Sequence, residues 1–390
     1  MKFENLNENV VKEISRNEPE WFANQRLISL GLFNGYGEDS FSYGMTMKTD
    51  VSDIKISDFS SKFSLIIKNE DENVVILNFN EAFQDYEEII KSYFMKEVNS
   101  KIDLLHKAIF QNGIFIYVPK NKNVKEPIIL NYEFLDNNSF DHLLVIIDEN
   151  SSVDIIEILK NGENIFRNGF TEIYAKDNSK INFFSLQNLD KSVNNFSTKR
   201  SYVGKDAECN FHNFEFGGKI NYSQIFSRLL NNGASSRING IYFSDEKQHF
   251  NLGYNSIHES NNTFSNILTK GILDDESNTI YRGLVKIKDN ASNSNGYQKE
   301  DTLILNNMAK ADSIPNLEID NNEVKCSHGA SIGHLDKDKM FYLMSRGIPE
   351  RSCIRIMIEA FFSEITDKID NGILLNELTK IINSKIKDEY

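Results

Sequence analysis

A short polar cluster recurs at a regular interval along the middle of the chain, and this repeat limits the possible folds more than any other feature. The cluster reads Asp148-Glu-Asn-Ser-Ser152, then Lys176-Asp-Asn-Ser-Lys180, then Gly204-Lys-Asp-Ala-Glu208, with looser copies that end at Ser236 and Ser292. The last residues of these copies are 28, 28, 28 and 56 residues apart, and Asn261-Asn262-Thr263 stands where one copy is missing. A fixed period of this length, with short strand-like runs between the clusters, predicts a β-solenoid. A β-sandwich with evenly spaced turns is the alternative.

Helical segments are predicted on both sides of the repeat. Apolar residues recur at helical spacing in residues 10–14, 21–32 and 80–98, and again in a stripe near the end of the chain that comprises Ile354, Ile358, Phe361, Ile365 and Ile369. We therefore expect a mainly β protein with flanking helices: an N-terminal helical or mixed domain (1–110), a β-helix core (111–335) and a C-terminal helical domain (336–390). Terminal helices would cover end coils whose strand edges otherwise aggregate.

Charge and cysteine content exclude several classes of protein. The formal net charge of −14 argues against nucleic acid as a partner, because binding phosphates requires a surplus of Lys and Arg. The three cysteines, Cys209, Cys326 and Cys353, are too few for a disulfide framework. No apolar run is long enough for a membrane span, and the acidic first residues, without an apolar stretch, argue against a secretory signal. We expect a cytoplasmic protein that does not bind membranes.

Several longer strings resemble the SufB/SufD family of iron–sulfur cluster assembly scaffolds, over nearly the whole chain. They are residues 258–272 and 281–287, the string Val324-Lys-Cys-Ser-His-Gly-Ala-Ser-Ile-Gly-His-Leu-Asp336, Phe341-Tyr-Leu343, Ser345-Arg-Gly347 and, near the start, Glu18-Pro-Glu-Trp-Phe22. The resemblance implies a right-handed parallel β-helix core whose members pair with each other, and C-terminal helices that bind the ATPase SufC. The chain lacks a Walker-type phosphate loop, so ATP hydrolysis is expected in SufC.

Cys326 and His328 are the first candidate site residues. Two residues apart on an extended strand, they point to the same face. A thiolate and an imidazole bind borderline metal ions, but two ligands do not complete a site, so a partner chain is expected to share the metal. Packing of Cys326 in the core is the alternative reading of its role. The resemblance implies that both residues lie at the interface with SufB, and that the histidine takes part in cluster formation.

The second set of candidates belongs to a path for sulfur or iron that the resemblance implies. It consists of Gln187, Lys199 and His258, which match the SufB pattern, and Glu300. The chain departs from SufB where sulfur-handling cysteines are expected, because Glu300-Asp301-Thr302 and Leu159 occupy those places. Glu300 could offer a carboxylate to iron, although a solvated turn residue is the simpler reading. His258 is expected to pack between coils. These departures favour the SufD type.

We expect a non-catalytic SufD-type subunit that forms the cluster-assembly interface with SufB and docks SufC through residues of its C-terminal helices, Ile354, Ile358, Phe361, Phe362 and Ile365. Ile356 and Phe362 are expected to leave a second apolar face open to a partner. No cofactor is expected to bind stably to the chain alone; a transient Fe–S cluster forms in the complex, and the resemblance allows FAD. The alternatives are a self-pairing, SufB-like scaffold that holds the cluster as a homodimer, and a polysaccharide-acting β-helix enzyme.

Overall fold

A computed structural model describes residues 1–37, 42–43, 47–98, 100–135 and 137–387. Its centre is a solenoid of two nine-stranded sheets, so the predicted β-solenoid is confirmed. Strands are numbered in chain order. Sheet I contains β5 (Phe63–Lys68), β8 (Ile128–Phe134), β10 (Ser152–Asn161), β12 (Lys180–Leu189), β14 (Glu208–Glu215), β16 (Ser235–Ser244), β18 (Phe264–Leu273), β20 (Asn295–Ile304) and β22 (Lys325–His334). Sheet II contains β6 (Val75–Asn78), β7 (Gly113–Val118), β9 (Ser139–Ile147), β11 (Phe166–Ala175), β13 (Asn194–Val203), β15 (Ile220–Leu229), β17 (His249–His258), β19 (Asn278–Ile287) and β21 (Lys310–Ile319).

Successive coils stack in parallel, and only the first strand of each sheet, β5 and β6, pairs antiparallel. Two small sheets, β1 (Lys2–Phe3) with β4 (Lys55–Ile56) and β2 (Ser42–Tyr43) with β3 (Met47–Lys48), lie outside the solenoid. The helices are α1 (Glu8–Ile14), α2 (Glu20–Gly35), α3 (Phe79–Asp85), α4 (Glu87–Tyr93), α5 (Lys101–Ile109), α6 (Lys337–Ser345), α7 (Glu350–Thr366) and α8 (Gly372–Lys385). In the described part of the chain, none of these helices has both the length and the apolarity to cross a bilayer.

The strand register corrects the predicted period. Ser152, Lys180 and Glu208 are register partners 28 residues apart, but the next partners along the stack are Ser235, Phe264, Asn295 and Lys325, at intervals of 27, 29, 31 and 30 residues. Ser236 is therefore one residue out of register, and Ser292 lies in a turn. The polar clusters are turns in which Asn150, Asn178, Asp206, Gly233, Asn262 and Asn293 adopt positive φ. Because Asn, Asp and Gly tolerate this conformation, their recurrence reveals the coil while the turn lengths vary.

Both outer faces of the solenoid are covered. The N-terminal unit packs its aromatic residues, including Phe22 and Phe110, on the outer face of sheet II around Phe170. The C-terminal helices pack on sheet I, where Ile354, Ile358, Phe362 and Ile365 are fully or almost fully buried (0–1% exposed) and Phe361 is half-buried. The expectation that Phe362 forms an open face is wrong, because this helix turns it toward the sheet; Ile356 does stay exposed (39%).

A buried polar chain joins α5 to the outer face of sheet II. His106 Nε2 lies 3.1 Å from His142 Nδ1, and His142 Nε2 lies 3.4 Å from Glu172 Oε2. Burial lowers the pKa of His142 to about 3, moves the pKa of His106 well below its usual value, and raises the pKa of Glu172 to about 7. Both histidines therefore resist protonation in the folded state, whereas Glu172 takes up a proton.

We expect Glu172→Gln to make the protein more sensitive to acid. Because the pKa of Glu172 is higher in the folded protein (about 7) than in the unfolded chain (4.5), this carboxyl stabilises the fold at low pH and loses that contribution as pH rises through 7. As pH falls from 7 to 4.5, the free energy of unfolding of the variant should fall behind that of wild type by about 1 kcal/mol per pH unit. Urea denaturation across this range measures the effect. Glu149→Gln, at an exposed ion pair with Lys120, is the control; equal pH slopes for wild type and Glu172→Gln would contradict the expectation.

Candidate functional site

The candidate residues lie on the inner face of the solenoid. Side chains alternate across each strand, and the inward set contains the main apolar core, against which Cys326 packs. Cys326 and His328 are on the inner face of β22, in register with Gly296 and Gln298 of β20. Beyond β22 sheet I has no further strand among the described residues, so the interior opens here. Cys326 is half-buried and His328 is exposed.

Cys326 and His258 both approach Gly296 of β20. A Cβ atom added to Gly296 would lie 3.4 Å from Cys326 Sγ and 3.5 Å from His258 Nε2, but it would overlap Val285 Cγ1 at 2.5 Å, so the valine side chain fills the room that the glycine leaves. His258 is fully buried and shares hydrogen bonds with Thr263 Oγ1 and Ser265 Oγ, both at 2.7 Å. Burial lowers the pKa of His258 to about 4, keeping the ring neutral, and burial raises the pKa of the Cys326 thiol.

Glu300 is not a solvated turn residue, and that reading of the sequence is wrong. It lies on the inner face of β20 and is 1% exposed. Its Oε1 accepts hydrogen bonds from the hydroxyl groups of Tyr242, at 2.9 Å, and Thr302. Burial raises the pKa of the Glu300 carboxyl, against the opposing effect of these hydroxyl groups. A carboxyl therefore occupies the interior directly behind the open end.

Gln187 and Lys199 lie deeper in the stack, several coils from Cys326. Gln187, on β12, accepts a hydrogen bond from Gly217 N at 2.8 Å and donates one to Gly217 O at 2.9 Å. Lys199, on β13, is 2% exposed, and its Nζ lies 3.4 Å from Ser197 Oγ. All four path candidates are thus buried on the inner face, but they are spread along the solenoid and do not form one site.

The sequence reasoning missed most of the polar interior. Further buried residues that carry inward polar groups are Asp141, Arg167, Asn213, Glu215, Asn221, Tyr242, Tyr254 and Tyr281. They are joined by hydrogen bonds such as Asn221 Nδ2 to Glu215 Oε2, at 2.9 Å. Four of them, Asp141, Arg167, Asn213 and Tyr254, stand two positions from an apolar core residue, and this alternation is the signal that could have identified them. The described residues contain no group of three or more His, Cys, Asp or Glu side chains placed to hold a metal ion.

Comparison with known proteins agrees with this architecture. The family model described as "SUF system FeS cluster assembly, SufBD core domain" matches residues 131–361, and the "SufBD protein N-terminal region" matches residues 46–130. An iron–sulfur cluster assembly SufBD family protein of Staphylococcus aureus (strain MRSA252) is 27% identical, covering 96% of this chain and 92% of the relative. The iron–sulfur cluster assembly protein SufD of Bacillus subtilis (strain 168) is also 27% identical, covering 83% and 76%. Because the core model spans more than half of the chain, the protein belongs to the SufBD family of the SUF system for iron–sulfur cluster assembly.

Proposed function

We propose that the chain is a non-catalytic, SufD-type scaffold subunit whose open solenoid end pairs with a SufB-type subunit. The observation that carries this proposal is the last coil. The outer edge of β22 pairs with no strand in the described part of the chain, and the same strand presents Cys326 and His328. An uncovered strand edge invites addition of another strand, and soluble proteins normally cover or block it.

Exposed apolar side chains surround this end of the molecule. They are Met308, Ile319, Ile332, Phe341, Tyr342 and Met344, with exposures between 41% and 74%. A groove of about 640 Å³ lies between the last coil and the helices α6 and α7, lined in part by Phe341, Met344 and His334. Apolar surface concentrated beside an uncovered strand edge is typical of a protein interface. This concentration supports pairing at the open end.

The thiol and imidazole at this edge can supply two ligands to a nascent cluster, which is cargo for the complex. A tetrahedral iron site needs further ligands, so the partner must contribute them. This division explains why the chain can act without a complete cysteine set of its own. The path candidates Gln187, Lys199, His258 and Glu300 are, in this proposal, polar groups along the interior behind the interface.

SufC is proposed to bind the exposed side of the C-terminal helices. The buried residues Ile354, Ile358, Phe362 and Ile365 hold α7 on sheet I, so they position the helices and do not themselves contact SufC. Ile356 on α7 and Ile373 on α8 are exposed (39% and 61%) and are available for that contact. Lys385 fixes the end of α8 to the solenoid through a 2.7 Å ion pair with Asp245.

Co-expression with a SufB-type subunit and SufC tests the proposal. Ile332→Asp should abolish pairing with the SufB-type subunit, because it places a charge at the apolar edge, while His328→Ala should preserve pairing and lower the iron and sulfide content of the purified complex at least tenfold. Ile66→Asp is the matched control, since Ile66 is exposed (57%) on β5 at the opposite end of sheet I.

Retention of the SufB-type subunit by Ile332→Asp would overturn the pairing proposal. A chain that self-associates and holds a cluster without the SufB-type subunit would instead establish the homodimer. Loss of SufC on Ile356→Asp, with pairing intact, is expected if the helices bind the ATPase; unchanged SufC binding by Ile356→Asp combined with Ile373→Asp would contradict that part.

A further inference from the structure

The edge strand β22 is largely exposed, and among the described strands its backbone pairs only with β20. Strands of this kind open readily, because few buried contacts oppose their fraying. A side-chain contact on the outer face of sheet I ties β22 to its neighbour: Ser331 Oγ donates to Asp301 Oδ1 at 2.6 Å. Asp301, on β20, is the register partner of Ser331, so the contact runs directly across the two strands.

The Asp301 carboxylate is bonded in two directions. Its Oδ1 accepts from Ser331, and its Oδ2 lies 2.7 Å from Lys270 Nζ and 2.9 Å from Lys299 Nζ. Burial opposes ionisation of this carboxyl, but hydrogen bonds from Lys270, Ser331 and Lys299 outweigh it and lower the pKa of Asp301 to about 2. Asp301 is therefore charged at neutral pH, and both of its oxygen atoms are occupied.

Lys270 carries the connection from sheet I to helix α7. It lies on β18 as the register partner of Asp301 and is 6% exposed. Its Nζ lies 2.9 Å from Glu364 Oε2 and 5.0 Å from the centroid of the Phe361 ring. A nearly buried ammonium group needs such partners, because its desolvation without them is costly. Contacts therefore run without a break from Glu364 on α7, through Lys270 and Asp301, to the edge strand.

Other ion pairs of the C-terminal helices reach coils farther from the edge. Glu377 of α8 lies 2.7 Å from Lys160 of β10, toward the opposite end of sheet I. Lys385 of α8 lies 2.7 Å from Asp245, in the turn after β16. These two pairs attach α8 to the solenoid without contacting the last coils. The attachment of α7 at Glu364 is therefore the one we expect to influence β22.

We propose that Asp301 is a positioning residue for the edge strand, which carries Cys326 and His328. Through Lys270 and Glu364 it makes the order of β22 depend on helix α7. The value of this order for cluster assembly rests on the proposed function, whereas the link between α7 and β22 does not. A partner that moved α7 would therefore change how firmly the thiol and the imidazole of the edge are held.

Amide hydrogen exchange of residues 325–334 in the isolated full chain tests the link. Ser331→Ala and Glu364→Gln cut the chain of contacts at its opposite ends. Each should make exchange in β22 about threefold faster, the size expected for losing one partly exposed polar contact. Glu377→Gln is the matched control, because it removes the ion pair between α8 and Lys160 and should leave exchange in β22 unchanged.

The double variant distinguishes one continuous link from two local effects. If the contacts act as a unit, Glu364→Gln causes no further increase in β22 exchange once Ser331→Ala is present. Effects of the two substitutions that multiply independently would overturn the link, as would unchanged β22 exchange in Glu364→Gln.

The iron and sulfide content of the co-expressed complex tests the positioning role. Asp301→Asn keeps the size of the side chain but removes the charge that holds Lys270. It should lower iron and sulfide about threefold while the SufB-type subunit is retained. Unchanged content in a paired complex would overturn the positioning role. Failure of the wild-type chain to pair would instead defeat the proposed function, and the exchange measurements would still decide whether α7 and β22 are linked.

Discussion

Arg167→Met is expected to lower the free energy of unfolding by about 3–5 kcal/mol, the range for removing one partner of a buried ion pair. Arg167 Nη2 lies 2.5 Å from Asp141 Oδ2, with the two side chains 3% and 7% exposed inside the solenoid, and Arg167 Nη1 donates to Asn195 Oδ1 at 3.0 Å. The variant keeps the volume of the arginine stem but leaves the Asp141 carboxylate in the interior without its cation. Urea denaturation at pH 7 measures the change.

Two further variants show whether the missing charge is the cause. Arg237→Met removes an ion pair with Glu208 whose side chains are 43% and 27% exposed, and it should cost less than about 1 kcal/mol. Adding Asp141→Asn to Arg167→Met removes the stranded carboxylate and should recover part of the loss. A loss below about 1 kcal/mol for Arg167→Met, or no recovery in the double variant, would show that the interior is hydrated enough to solvate the charge.

The repeat was readable from the sequence because a chemical constraint recurs at each turn. Positive φ at residues such as Asn150, Asn178 and Asp206 restricts the choice of residue, so the polar clusters reappear in every coil. The interval itself was only partly predictable. Turns after Glu208 differ in length by a few residues, and surface turns accept such insertions without disturbing the stacked strands. For the same reason Ser236 and Ser292 are misplaced as markers of the register.

The site was predicted less completely, because its polar residues look like turn residues. The two-residue spacing of Cys326 and His328 correctly predicts that they share one face, because this prediction requires only that the strand is extended. Glu300 was misread because Glu300-Asp301-Thr302 is polar, although it continues a ten-residue strand. Strand prediction assumes an apolar interior, and here tyrosine hydroxyls satisfy buried carboxyl and amide groups instead. The prediction for Phe362 is wrong for a different reason. Spacing in the sequence alone does not decide whether residue 361 or residue 362 of the helix turns inward.

Gly271→Ala is expected to cost about 3 kcal/mol through the contact that positions Glu300. Gly271 faces inward on β18, and a Cβ there would overlap the phenol ring of Tyr242. That ring is 1% exposed, and its hydroxyl contacts Glu300 Oε1 at 2.9 Å and Thr302 Oγ1 at 2.6 Å. Relieving the overlap requires Tyr242 to move and release these bonds. The change combines overpacking, typically about 1–3 kcal/mol, with the loss of buried hydrogen bonds, about 1–3 kcal/mol more.

The matched control is Gly329→Ala on β22, where no heavy atom of the described residues lies within 4 Å of the added methyl group. It should change the urea midpoint little, whereas Gly271→Ala should lower it clearly, because Tyr242 must move and release its hydroxyl contacts with Glu300 and Thr302. If Gly271→Ala were as stable as Gly329→Ala, the expectation would be contradicted. Tyr242 would then have room to move, and its hydroxyl contacts would not be needed to hold Glu300 in place.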